Sequence, residues 1–178
     1  MRIKYGLLVL SLFVANQIVA QNWEIKESYK VAFSGKKAEG TFRGLEGVIK
    51  FDPRDPETAL FQVVLDVGTI ETGNNTKNKH ARNENWFFVK SFPKIRFTSN
   101  RVIKTAEGYL MQGELDLRGI QKEVEFPFTF SESGGEGIFL GTLFVNRKDF
   151  GIKGNFMEFL VGDQFSVEIE VPVFRQNP

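Results

Sequence analysis

Near the end of the chain, Phe165, Val167, Ile169, Val171 and Val173 alternate with Ser166, Glu168 and Glu170. A side-chain period of two belongs to a strand with one buried and one wet face, and a helix cannot reproduce it. The same period recurs in Ile25–Ser34, Ala38–Phe51, Leu60–Ile70, Lys94–Lys104, Tyr109–Arg118, Lys122–Phe130 and Gly137–Asn146, so about eight strands are expected.

The connections are short and rich in turn formers: Gly35-Lys36-Lys37, Asp52-Pro53-Arg54-Asp55-Pro56, Ala106-Glu107-Gly108, Arg118-Gly119-Ile120-Gln121 and Ser133-Gly134-Gly135. Short links of this kind join antiparallel neighbours. One longer break, Asn74–Val89, predicts a helix between the third and fourth strands, capped by Asn74 or Asn75 and ending in Trp86-Phe87-Phe88. A second break, Asn155–Leu160, predicts one helical turn. The expected fold is all-β: a closed antiparallel eight-stranded barrel with one short helix, favoured over a sandwich because closure removes exposed strand edges.

Residues 1–20 read as an export leader. Arg2 and Lys4 precede an apolar stretch from Gly6 to Ala15, and Ala20 offers a small residue for cleavage. The apolar run is about half the roughly 20 residues that span a bilayer. The mature domain is therefore expected to be residues 21–178, periplasmic or secreted, and not inserted in a membrane. No cysteine is present, which removes thiol chemistry, disulfides and a lipidated N-terminus. Basic and acidic residues number 23 and 22, and so balanced a charge leaves no nucleic-acid footprint.

Nineteen phenylalanines stand out, several of them on the apolar faces of strands. Small barrels are often packed solid by such rings. Gly44, Gly47, Gly113 and Gly141 lie inside strands, where glycine weakens pairing and marks a bend or a close approach; they suggest room inside. An apolar interior with room suits an apolar chain. Burying about 20 methylenes yields roughly 16 kcal/mol gross at about 0.8 each, against an association cost of about 4–15 kcal/mol. The face with Val63, Leu65, Val67, Phe126, Phe128, Phe165 and Ile169 is the more apolar one and is expected to point inward. The seventh strand is apolar on both faces.

Polar candidates for chemistry are weak. His80 is the single histidine, with only Glu84 nearby in sequence, short of the ligand set a metal needs; it is expected to hydrogen-bond and order the helix. No Gly-x-Ser-x-Gly elbow occurs. Glu123 with Glu125, and Glu168 with Glu170, share wet strand faces rather than opposing one another across a cleft. Arg147 and Asp149 read as loop residues that satisfy backbone groups, with contact to a ligand head group as the alternative. Neither a cofactor nor a catalytic residue is expected.

Asp66-Val67-Gly68-Thr69-Ile70-Glu71-Thr72-Gly73 and the run Asn85-Trp86-Phe87-Phe88-Val89-Lys90-Ser91-Phe92-Pro93-Lys94-Ile95-Arg96-Phe97 resemble the YceI-like polyisoprenoid-binding family. So do Phe51-Asp52-Pro53, the Gly113–Gly119 stretch and Asn146-Arg147-Lys148-Asp149-Phe150-Gly151-Ile152, in the same order. The resemblance implies a lipocalin-like barrel that holds an isoprenoid lipid. Two departures stand out: Lys77-Asn78-Lys79-His80-Ala81 replaces an Arg-Asp-x-His-Leu run, and Phe88 replaces a common aspartate. The helix exit is thus more apolar and is expected over the barrel mouth.

The resulting expectation is a non-enzymatic binder of a long isoprenoid lipid, lined by Phe33, Phe42, Val63, Leu65, Val67, Phe97, Leu115, Phe126, Phe128, Phe165, Val167 and Ile169. His80, Trp86 and Phe87 are expected at the mouth. The alternative is a structural barrel with a filled core and no small ligand. Homodimerisation is compatible with either.

Overall fold

A computed structural model describes residues 21–154 and 161–176. The leader expected at residues 1–20 and the turn expected at 155–160 lie outside the described residues. Nine strands form one sheet: β1 (Asn22–Ile25), β2 (Lys30–Ser34), β3 (Glu39–Lys50), β4 (Leu60–Glu71), β5 (Lys94–Lys104), β6 (Tyr109–Leu117), β7 (Ile120–Ser133), β8 (Glu136–Asn146) and β9 (Gln164–Arg175). Helix α1 (Asn75–Arg82) follows β4. All pairings are antiparallel, and the β3–β4 and β2–β9 ladders close the ring.

The ring has eight staves because β1 and β2 share one. Both lie between β3 and β9, with β1 opposite Ile49–Lys50 and Val173–Arg175, and β2 opposite Glu39–Phe42 and Ser166–Glu170. The continuous strand expected at Ile25–Ser34 is therefore broken at Lys26–Tyr29. Pro172 accepts the Lys26 N–H at 2.9 Å but has no N–H to return. On the other side, β3 bulges between Thr41 and Glu46. Gly44 and Gly47, at φ 70° and 146°, allow that bend, and the Leu45 N–H donates to the Tyr29 hydroxyl at 2.9 Å. The break in one stave thus supplies the group that satisfies the bulge in the next.

The strand glycines correct one inference. Gly44 and Gly47 mark the bulge. The Phe97 ring lies across Gly113, so close that an added Cβ would fall 2.7 Å from it. Gly40 under Phe33 and Gly137 under Phe130 repeat the device. Only Gly141 borders the interior space. Of the four glycines expected to leave room inside, two therefore serve a bend, one makes room for a ring and one borders the cavity.

The barrel is solid at one end. After β3 the chain turns inward, placing Phe51 and Asp52 with no exposed surface. Phe51 meets Phe61, Tyr109, Phe128, Phe130 and Phe139 with centroids 5.0–6.0 Å apart, mostly edge to face, the arrangement ring quadrupoles prefer. Trp23 packs on Phe130 and donates from Nε1 to the Phe51 carbonyl at 2.9 Å. The Asp52 carboxylate accepts from the Arg54 side chain at 2.6 and 2.9 Å and from its backbone N–H at 2.9 Å. Those bonds hold its carboxyl below the usual carboxylate range, which keeps the buried group charged and paired.

At the other end lies α1. Asn74 caps it, accepting from the Lys77 N–H at 3.0 Å. The helix is shorter than expected: it stops at Arg82, where Asn83 goes extended. The chain then folds back, with the amides of Phe87, Phe88 and Val89 on the carbonyls of Ala81, Asn83 and Arg82, and Phe88 at φ 49°. The turn brings Trp86 and Phe87 back against the barrel core.

Candidate functional site: an apolar cavity open at one end

Inside the staves, between the Phe51 cluster and α1, is a cavity of about 660 Å³, within the range of small-molecule sites. Phe61, Phe128 and Phe139 form its floor and the α1 end is its mouth. Its wall is made of strand residues one face deep: Phe33, Phe42, Val63, Leu65, Phe97, Leu115, Phe126, Phe128, Phe165, Val167 and Ile169 meet there. Val67 does not. It follows the last β4–β5 pair, Asp66↔Lys94, its amide bonds to the Pro93 carbonyl at 3.0 Å, and it is buried away from the cavity. Strand parity alone did not show where β4 runs past its β5 partner, although β4 goes on to pair with β3 at Thr41↔Glu71 and Ile70 lines the cavity.

The sequence reading also missed lining residues. Val31, Ile95 and Leu117 sit two positions, and Met111 four, from residues it chose, and all follow from the same parity. Leu143 and Val145 belong to β8, apolar on both faces. The structure resolves it: Phe139, Leu143 and Val145 line the cavity, while Phe144 is 73% exposed on the outer face.

Charged and hydrogen-bonding side chains reach the cavity only at its rim: Lys37, Glu39, Thr72, Lys77, His80 and Arg147. Trp86 and Phe87 also border the mouth, with Phe87 edge-on to Phe42 at 5.6 Å. His80 is exposed and does not order the helix. Asn78 does: it is 3% exposed, and its Oδ1 accepts from the Thr72 N–H at 2.8 Å and the Thr72 hydroxyl at 2.7 Å. Asn78 also bonds the Glu71 carboxylate, the main cause of that group's lowered pKa. An asparagine on the inner side of a short helix is the residue type that can do this, and histidine drew attention only by its rarity.

Arg147 is buried at 3% exposure. It donates to the carbonyls of Gly162, Ile152 and Lys153, each at 2.8 Å, and pairs with Asp163 at 2.9 Å. Its guanidinium lies 5.5 Å from the Trp86 ring centre, a cation–π contact. It thereby ties the segment after β8 to the segment after α1, which also meet where the Gly154 N–H donates to the Asn85 carbonyl at 2.8 Å. Lys148, which also pairs with Asp163 at 2.9 Å, is the chief cause of that carboxyl's lowered pKa.

Fold and site together define a class: a small closed antiparallel barrel whose interior is an apolar cup with a polar rim. The chain belongs to the YceI-like domain family, whose model matches residues 17–173. It is 30% identical to a UPF0312 protein of Yersinia enterocolitica, over 70% of this chain and 69% of that one. A UPF0312 protein of Pseudomonas putida is also 30% identical, over 81% and 83%. Among solved structures, BcnA of Burkholderia cenocepacia superposes with a TM-score of 0.78 at 24% identity, covering 84% of this chain and 99% of that one. A domain of Saccharophagus degradans described as polyisoprenoid binding superposes with a TM-score of 0.63 at 14% identity, covering 88% and 99%.

Proposed function

We propose that this protein binds a long apolar isoprenoid lipid in its barrel and carries it without transforming it. The cavity supports this most directly: its wall is apolar from the Phe128 floor to the rim, and every charged side chain lies at the mouth. A chain slid inward leaves water along its length, while its head stays level with Lys37, Lys77 and His80. The family membership and the polyisoprenoid-binding neighbour point the same way. Among the described residues the wall below the rim carries apolar side chains, as a carrier requires. The reading includes export, with the mature chain beginning at Gln21.

Native mass spectrometry of the mature chain, purified without detergent from its own compartment, tests this. A bound mass released by solvent and identified as an isoprenoid is the expected result; an empty protein that stays empty after addition of isoprenoid quinones would sink the reading. Ile169→Trp, which fills the cup, is expected to keep the fold and lose the lipid. Phe126→Glu is expected to lose it too, with some loss of stability from the buried charge. N-terminal sequencing that began at Met1 would remove the export step.

A further inference from the structure

The two ends of the barrel carry opposite charge. At the open end, the β2–β3 hairpin presents Lys36 and Lys37, and α1 presents Lys77 and Lys79, all exposed. None of the four has an ion-pair partner among the described residues, and α1 contains no acid. The acids at this end include Glu39, Glu71, Glu84, Asp149 and Asp163; Glu71 accepts from the Gly73 N–H at 2.7 Å, and Asp163 is taken up by Arg147 and Lys148. At the closed end the balance reverses. Lys26, Arg54, Arg101 and Arg175 are each paired, with Glu136, Asp52, Glu57 and Glu132. Among the described residues Glu27, Asp55 and Glu107 at the closed end have no such partner, and they outnumber the two unpaired strand-end cations there, Lys50 and Lys104.

We propose that the open end docks on the anionic face of a phospholipid membrane through Lys36, Lys37, Lys77 and Lys79, with the cavity mouth turned toward the bilayer. Each lysine held near an anionic surface strengthens binding roughly fivefold, and the acidic closed end orients the barrel in the same field. Phe144, exposed on the outer wall two residues from the mouth end of β8, adds an apolar contact beside the basic rim. A lipid in the cup then passes between barrel and bilayer without crossing water. Only that last consequence rests on the proposed function; docking itself requires no cargo.

The experiment is co-sedimentation of the mature chain with vesicles of phosphatidylglycerol mixed into phosphatidylcholine, and with phosphatidylcholine alone. Binding is expected to the anionic vesicles only, and to fall with added salt. Lys36→Gln with Lys79→Gln, two side chains outside the cavity lining, is expected to weaken it roughly twenty-fold at unchanged Tm, and to keep the bound lipid seen by native mass spectrometry. Replacing all four lysines is expected to cost a few hundredfold. Equal binding to both vesicle types, undiminished binding by the double variant, or full displacement by millimolar inorganic phosphate would overturn the docking. A wild-type protein that carries no lipid in native mass spectrometry before any vesicle is added would instead overturn the carrier reading and leave the docking standing.

Discussion

The barrel uses phenylalanine differently at its two ends. At the closed end Phe51 has no exposed surface and is surrounded by five rings. Phe97 and Phe126, on the cavity wall, meet each other at 5.8 Å and face open space on the side away from the strands. The residue type is the same and the strand parity is the same. What differs is whether a loop enters the barrel: the turn after β3 carries Phe51 inward and plugs one end, while α1 lies across the other without filling it. A cup is thus a barrel in which only one connection has been folded in.

Truncation tests that contrast most severely. Phe51→Ala should cost about 3–5 kcal/mol, as large-to-small changes in a packed core do. Phe126→Ala should cost about half as much, because its ring lacks neighbours on the cavity side. Equal losses in denaturant melts would mean that the cup is filled in solution. Next in size, Arg147→Ala removes the donor shared by three buried-side carbonyls and should cost about 1–3 kcal/mol, with faster amide exchange at Ile152; the closed end should be undisturbed. Asn78→Ala should cost about 1 kcal/mol and free the Thr72 amide to exchange while leaving the Trp23 indole protected.

The smallest effect is acid sensitivity, present at both ends. Asp52, held by Arg54, and Asp163, held by Lys148 first and Arg147 second, have lowered pKa values in the folded chain. The unfolded chain therefore binds more protons near its own value of about 3.9, and stability rises with pH there. The contribution is complete above that value and fades as pH falls through the lower folded values. Because Arg54 and Lys148 are more than half exposed, screening keeps it modest. The difference in Tm between wild type and Asp52→Asn should shrink from pH 7 to pH 3; a gap that held constant would remove the charge from the explanation.

Much of this architecture is written locally. Alternation placed seven of the eight staves within a few residues, Asn74 announced the cap, and parity pointed Val63, Leu65 and Phe126 inward. These depend on each residue and its immediate neighbours. What escaped depends on distant partners: the broken stave at Lys26–Tyr29 answers to Pro172 and to the β3 bulge, and Val67 misses the cavity where β4 outruns β5. Nor does composition show which rings plug and which line, since that is decided by where the β3–β4 loop goes.

The shared stave of β1 and β2 has a consequence in time. β9 pairs with β1, β2 and β8, and Gln176 reaches Glu24 across 152 positions of chain. A ribosome or a translocation pore delivers the chain from its beginning, so the first strands must wait for the last one before the ring can close. Contacts this remote in sequence make for slow folding. Until β9 arrives there is no cup, and any lipid it holds can be acquired only by a finished chain.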